Sequence, residues 1–126
     1  MRGTVKFFDG AKGWGFITDE NKNDVFVHYS NIIMEGRKSL DENDVVEFEI
    51  GEGKDGRTQA VTVQPILTMQ MIEKSLEEER LFVKSTKDQY GVTKYIVINS
   101  ENVVQTDEHG MSFAELVAYA GLHYPM

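Results

Sequence analysis

Two short runs of the sequence combine aromatic and basic side chains with glycine or valine. They read Lys-Gly-Trp-Gly-Phe-Ile at residues 12–17 and Val-Phe-Val-His-Tyr at residues 25–29. Exposed aromatic rings stack with unpaired nucleic acid bases, and neighbouring cations bind the phosphates of the same strand. These residue types therefore indicate a surface that binds single-stranded nucleic acid.

The spacing within the runs indicates which side chains share a face. Successive side chains of a β-strand point to opposite faces. Trp14 therefore shares a face with Phe16, and Phe26 shares a face with His28. The opposite face of the second strand carries Val25, Val27 and Tyr29. The alternative is that the rings belong to a two-sided core, but their repetition in two consecutive strands favours an exposed aromatic face.

The charge of the chain argues against strong electrostatic binding. The net charge is −8 at pH 7, divided equally between residues 1–65 and 66–126, whereas nucleic-acid-binding proteins are ordinarily basic. Salt screens charges beyond about 8–10 Å, so only cations close to the aromatic face contribute. The candidates are Lys6, Lys12, Lys38, Lys54 and Arg57. We expect modest affinity that depends more on stacking than on phosphate contacts.

Residues 3–8, 12–17 and 24–30 resemble the bacterial cold shock proteins. The second and third segments match the two ribonucleoprotein motifs of that family in type, order and spacing, and the resemblance covers about residues 1–65. It implies an all-β, five-stranded OB-type barrel whose strands two and three bind single-stranded RNA and DNA with little sequence preference. The residues that we predict to contact nucleic acid are Lys6, Phe7, Lys12, Trp14, Phe16, Phe26, His28, Tyr29, Arg37, Lys54 and Arg57.

Several positions depart from the usual family pattern. Phe7 stands where tryptophan is usual, and Trp14 stands where phenylalanine is usual, so the only tryptophan has moved within the site. Asp9 replaces a common asparagine and adds a negative charge beside the aromatic face. Arg37 falls where a loop often carries an aromatic side chain, and a guanidinium can also stack on a base. Thr58 replaces a usual proline.

The first half of the chain reads as five strands separated by turns. The predicted strands cover about residues 2–9, 13–19, 24–29, 44–51 and 57–64, with turn signals between them. The adjacent rings of Phe7 and Phe8 break the alternation, which indicates a β-bulge. Pro65 marks the predicted boundary between a cold shock domain at residues 1–65 and a second domain at residues 66–126.

Residues 66–126 read as a small α+β domain of order α-β-β-α, in which we recognise no family. Apolar residues at helical spacing predict a helix over about 66–79, and three glutamates at its end predict fraying there. Strand-like runs at 81–83 and 95–98 predict a hairpin, and Val103-Val104 indicates a further short strand. Ser112 to Glu115 has the spacing of a capping box, which predicts a last helix over about 113–120.

Composition restricts the other functions. The chain has no cysteine, which excludes disulfides and thiolate metal sites, and its three histidines are widely separated. No arrangement of residues is typical of a nucleophile or an acid–base pair. We therefore expect no enzyme activity, metal or cofactor. The sequence contains no run of membrane-spanning length, so a cytoplasmic protein without a membrane partner is expected.

Three functions fit these observations. The first is an RNA chaperone that acts in transcription or translation by holding RNA single-stranded. The second is a regulator in which residues 66–126 form a homodimer interface or recruit a partner, since a lone hairpin needs a partner layer. The third is a protein-interaction module whose barrel has lost useful affinity because of Asp9 and the acidic balance.

Overall fold

The computed structural model describes residues 1–34, 38–53 and 56–125. The chain forms two compact units, Met1–Met69 and Gln70–Met126. The first unit contains β1 (Arg2–Asp9), β2 (Trp14–Asp19), β3 (Asp24–His28), a 3-10 turn (Tyr29–Asn31), β4 (Val45–Glu52) and β5 (Thr58–Leu67). The elements that follow are α1 (Met69–Glu77), β6 (Phe82–Lys87), β7 (Thr93–Ile98) and α2 (Phe113–Tyr119). None of these helices is long and apolar enough to cross a membrane.

The five strands of the first unit close into a barrel in the order β1-β2-β3-β5-β4. The β3–β5 pair is parallel, and the other pairs, including the closing pair of β1 with β4, are antiparallel. This confirms the predicted OB-type barrel. The interior is filled by the inward side chains of every strand and of the loops after β3. They are Val5, Ile17, Val25, Val27, Ile32, Leu40, Val46, Phe48, Ala60 and Val63.

The last strand of the barrel continues further than the sequence indicated. Ile66 and Leu67, predicted as the start of the first helix, belong to β5, and Leu67 pairs with Val45. Pro65 pairs with Val46 next to an irregularity in the register. A proline has no N–H to donate to a ladder, and it is tolerated in a strand at such an irregularity. The helix therefore begins at Met69, whose backbone N–H donates to the buried carboxylate of Asp44 at 2.8 Å.

The second unit confirms the predicted order of helix, two strands and helix. β6 pairs with β7 in one antiparallel hairpin. Ser112 accepts a hydrogen bond from the Glu115 amide at 3.1 Å, and the Glu115 carboxylate accepts one from the Ser112 amide, so the capping box of α2 is present. The short strand expected at 103–104 is a single bridge between Val104 and Ile98. Helix α1 ends at Glu77, so Glu78 and Glu79 lie outside it. This agrees with the predicted fraying, because the helix dipole disfavours negative charge at the C-terminal end of a helix.

Candidate nucleic-acid interface

Strands β2 and β3 present their aromatic side chains on the outer face of the barrel. In their antiparallel register Trp14 lies opposite His28 and Phe16 lies opposite Phe26, so all four project to the same side. The alternate residues are buried in the core, among them Ile17 with no exposure. The face assignment made from alternation is therefore correct for these four side chains, and none of them belongs to the core.

Four rings form a continuous cluster on this face, which we call the aromatic platform: Phe7, Trp14, Phe16 and Phe26. The ring centroids of Trp14 and Phe26 are 6.1 Å apart with planes inclined by 29°, and Phe16 lies 5.9 Å from Phe26. Phe7 lies 5.6 Å from Trp14 and 5.7 Å from Phe16. Three of the five contacts between these rings are edge-on, and the contacts together hold the rings in place on the outside of the barrel, where bases can stack on them.

A β-bulge in β1 adds Phe7 to the platform. Val5 pairs with Ile17 and Phe7 pairs with Phe16, so Lys6 is the extra residue and the bulge lies one position before the predicted one. Phe7 is therefore 41% exposed. Gly15 makes this geometry possible, because a Cβ at its position would lie 2.2 Å from the Phe7 carbonyl oxygen.

Tyr29 does not point into the core, which corrects the interpretation of the second run. Strand β3 ends at His28, and the chain then enters the 3-10 turn, which breaks the alternation. Tyr29 is 47% exposed, and its ring centroid lies 4.5 Å from that of His28. Ile32, which follows the 3-10 turn, belongs to the core and is 1% exposed. His28 and Tyr29 thus extend the aromatic face beyond the end of the strand.

Hydrogen bonds fix the orientation of the His28 ring. The Ser30 backbone N–H donates to His28 Nδ1 at 3.3 Å, and the Ser30 hydroxyl lies 2.8 Å from the same nitrogen. A backbone amide can only donate, so Nδ1 is the acceptor in the bond from Ser30. In the tautomer that makes this bond, Nε2 carries the proton and can donate to a base or phosphate oxygen.

The predicted cations differ in their availability. Lys6 Nζ donates to Asp24 Oδ2 at 2.8 Å, so the charge of Lys6 is already paired. Lys12 is exposed at the turn that precedes β2, and Arg57 lines a cleft of about 260 Å³ together with Phe16 and Phe26. Lys38 is exposed and lines a separate cleft with Ser30 and Asn31. Arg37 and Lys54, the remaining predicted cations, lie outside the described residues.

Asp9 directs its carboxylate toward the backbone. Its Oδ1 accepts hydrogen bonds from the amides of Ala11 and Lys12, both at 3.0 Å, and its carbonyl accepts one from Gly13 at 2.7 Å. These bonds partly offset the negative charge that was expected to oppose nucleic acid. Asp9 therefore shapes the β1–β2 turn that carries Lys12.

Two residues that the sequence did not single out adjoin the platform. Gln59, which pairs with Phe26 across the parallel β3–β5 ladder, lines both the cleft near Arg57 and a second cleft of about 550 Å³. Glu52 lines the second cleft with Phe26 and His28. Gln59 reaches the site because β5 pairs with the distant strand β3, and Glu52 follows because β4 pairs with β5, so local spacing gave no signal for either residue.

Replacing Asp24 by asparagine is expected to strengthen binding of single strands, because it frees Lys6 for a phosphate. The Lys6 hydrogen bond lowers the pKa of Asp24 below its usual value of 3.8, so the pair persists at neutral pH and is lost only as the pH falls through that lowered pKa. The slope of log affinity against log salt should steepen by up to about 0.7. Titrations with a single strand at several salt concentrations measure this slope, and Glu49→Gln, which removes one negative charge on β4, is the matched control. Equal slopes for the two variants would contradict this role of the pair.

The fold and the site together define a class of protein. A closed five-stranded barrel that carries exposed rings on its second and third strands, with Lys12 in the turn before the second strand, is a nucleic-acid-binding barrel of the OB type. The family model of the "Cold-shock" DNA-binding domain matches residues 1–66. The chain belongs to this cold shock domain family, which is a family of nucleic-acid-binding domains.

The names of similar proteins agree with this assignment to the cold shock domain family. A cold shock-like protein of Thermotoga maritima is 64% identical over 56 residues, which are 44% of this chain and 85% of the relative. Cold shock protein CspA of Staphylococcus saprophyticus is 54% identical over 63 residues, which are 50% of this chain and 96% of the relative. Glycine-rich protein 2 of Nicotiana sylvestris is 56% identical over 63 residues but only 29% of its length is covered. Residues 67–126 lie outside the family model.

Proposed function

We propose that this protein binds single-stranded RNA and DNA by stacking unpaired bases on the aromatic platform. The observation that carries the proposal is the cluster of four rings, each within about 6 Å of at least two others, on the outside of a barrel. Each base stacked on a ring contributes about 1–3 kcal/mol, and stacking tolerates any sequence because every base has a flat surface. The site therefore distinguishes single strands from duplexes and has little sequence preference.

The charges near the platform support a binding mode in which phosphates contribute little. Lys6 is paired with Asp24, and Glu52 lines the cleft beside Phe26. The whole chain carries −8 at pH 7. Few counterions are then released on binding, so affinity depends only weakly on salt. We propose that His28, Tyr29, Lys12 and Arg57 add hydrogen bonds and local charge to the stacking contacts.

We further propose that the protein acts in the cytoplasm as an RNA chaperone in transcription or translation. Weak sequence preference and modest affinity suit that role, because a chaperone must bind many transcripts and release them again. Bases stacked on the rings are withheld from pairing with other bases. Nucleic acid secondary structure would therefore be reduced without hydrolysis of a nucleotide and without a cofactor.

Fluorescence of Trp14 tests the proposal directly. Trp14 is the only tryptophan and lies in the platform, so a stacked base should quench it. A pyrimidine-rich single strand is expected to quench the emission in a saturable manner, whereas the same sequence as a duplex is expected to bind much more weakly because its bases are already stacked. Tight binding to one duplex sequence would contradict the proposal and favour a sequence-specific DNA-binding protein.

A second candidate function is a regulator in which residues 66–126 mediate dimerisation or recruit a partner. The exposure of Phe82, Val103 and Tyr119 in the second unit favours it, because exposed apolar side chains are often covered by another chain. Light scattering of the full chain over a range of concentrations tests self-association. A dimer would support this candidate. A monomer at all concentrations would exclude dimerisation and leave only the recruitment of a different partner.

A further inference from the structure

Charges are unequally distributed in the second unit. The hairpin, residues 81–98, carries three lysines and one aspartate, Asp88. The rest of the unit, residues 70–80 and 99–126, carries two basic residues and eight acidic residues. The hairpin is therefore positive, whereas the segments on either side of it are strongly negative. A net charge for the whole unit conceals this difference.

The one acidic residue of the hairpin is directed into its own turn. Asp88 Oδ1 accepts hydrogen bonds from the amides of Tyr90 and Val92, at 2.8 and 2.9 Å. The Val92 bond is the main cause that lowers the Asp88 pKa, and the charge of Lys94 contributes. The carboxylate thus interacts with the turn and with Lys94. Within the described ranges 1–34, 38–53 and 56–125, Lys84 and Lys87 are in no ion pair, and both are exposed.

Exposed rings lie on the same hairpin as these lysines. Phe82, at the start of β6, is 45% exposed, and Tyr90, in the turn, is 81% exposed. β6 pairs only with β7 among the described strands, so its other edge is an open sheet edge. We use the name hairpin strip for the exposed side chains of this edge strand and its turn: Phe82 and Lys84 on one face of β6, Lys87 on the other face at the end of the strand, and Tyr90 in the turn. It combines the two chemical features of a single-strand site, which are flat apolar rings and unpaired cations.

We propose that the hairpin strip is a second contact for single-stranded nucleic acid, with Lys84 and Lys87 binding phosphates and Phe82 and Tyr90 contacting bases. The inference rests on the proposed function of the barrel, because a strand that is held by the platform is tethered to the same chain. Tethering raises the effective concentration of the strand at a weak second site. The hairpin strip is positively charged and therefore complements a polyanion, whereas the segments on either side of the hairpin are acidic.

The lysines have a competing explanation. Charged residues on an open strand edge prevent edge-to-edge pairing between molecules, and lysine is the residue most often used. That explanation predicts that removal of the charges causes aggregation and leaves nucleic acid binding unchanged. A second copy of this chain, with its run of glutamates at residues 77–79 placed on the strip, is a further explanation. It predicts self-association that depends on Lys84 and Lys87.

The test uses the full chain with both lysines replaced, Lys84→Gln and Lys87→Gln, and single strands of two lengths. A strand of about 6 nucleotides fills one barrel site, and a strand of about 24 nucleotides is long enough for a second contact. We expect the variant to bind the long strand about fivefold more weakly than the natural chain, with a salt slope smaller by about 1.4, because two phosphate contacts are lost. Binding of the short strand should be unchanged.

The matched control removes the same charge elsewhere in the unit, with Lys74→Gln and Arg80→Gln. These exposed residues lie outside the hairpin, and we expect the control to bind both strands like the natural chain. Thermal unfolding verifies that both variants are folded. Equal binding of the long strand by the two variants would overturn the proposal, as would a change confined to aggregation or self-association. If the natural chain bound neither strand, the proposed function of the barrel would fail instead.

Discussion

Replacement of Phe26 by alanine is expected to weaken binding of a short single strand by about 1–3 kcal/mol, which is the contribution of one base–aromatic stack. Phe26 contacts Trp14 and Phe16 and lines both clefts beside the platform, so it has a central position in the site. Stability should change less than affinity, because the ring lies on the outside of the barrel. Fluorescence anisotropy of a labelled strand measures the affinity, and thermal unfolding measures the stability.

Tyr119→Ala is the matched control for Phe26→Ala. Tyr119 is also a partly exposed aromatic residue, but it belongs to α2 in the second unit and not to a strand of the barrel. We expect this control to bind the short strand with the affinity of the natural chain. If Phe26→Ala unfolded the barrel while the folded fraction kept its affinity, the ring would have a structural role and not a binding role.

The largest expected effect on stability comes from Gly15→Ala. A Cβ at this position would lie 2.2 Å from the Phe7 carbonyl oxygen and 2.8 Å from the Phe8 Cα, and backbone atoms cannot move aside as a flexible side chain can. We expect the free energy of unfolding to fall by about 3 kcal/mol, at the upper end of the range for overpacking. Chemical denaturation of the full chain measures this change.

Gly56→Ala separates steric crowding from the general effect of replacing a glycine. Gly56 has a φ of +80°, and a Cβ there would meet no atom within 4 Å. Its replacement should cost about 1 kcal/mol, from backbone strain alone. If Gly15→Ala destabilised the protein no more than Gly56→Ala does, the close approach of β1 to β2 would not limit the residue at position 15.

The first half of the chain could be predicted closely because local rules and family resemblance agreed there. Period-two alternation of Ile17, Val25 and Val27 with the outward rings fixed the two faces of β2 and β3. The same alternation failed at Tyr29, where the chain leaves the strand for a 3-10 turn. Alternation applies only while the backbone stays extended, and the sequence does not mark the residue at which extension ends.

The parts that could not be predicted depend on contacts between distant segments. The salt bridge of Lys6 with Asp24 requires the pairing of β1 with β2 and of β2 with β3. Gln59 adjoins the platform because β5 lies parallel to β3. The end of β5 at Leu67 likewise depends on its pairing with Val45, which overrides the helical spacing that begins at Ile66. Propensity and spacing describe neighbours in sequence, so they carry little information about such pairings.

The bulge at Lys6 has a consequence for how this barrel can evolve. Before the bulge, Gly3 and Val5 face the interior, and after it Phe8 packs against the core while Phe7 faces outward. Other residue types could stand at position 6, but the presence of one extra residue there decides which of the following side chains point into the barrel and which point outward. A one-residue deletion in β1 would exchange the positions of Phe7 and Phe8, removing a ring from the platform and altering the core together. Lineages of this barrel should therefore accept other residue types at position 6 more readily than any change in the length of β1.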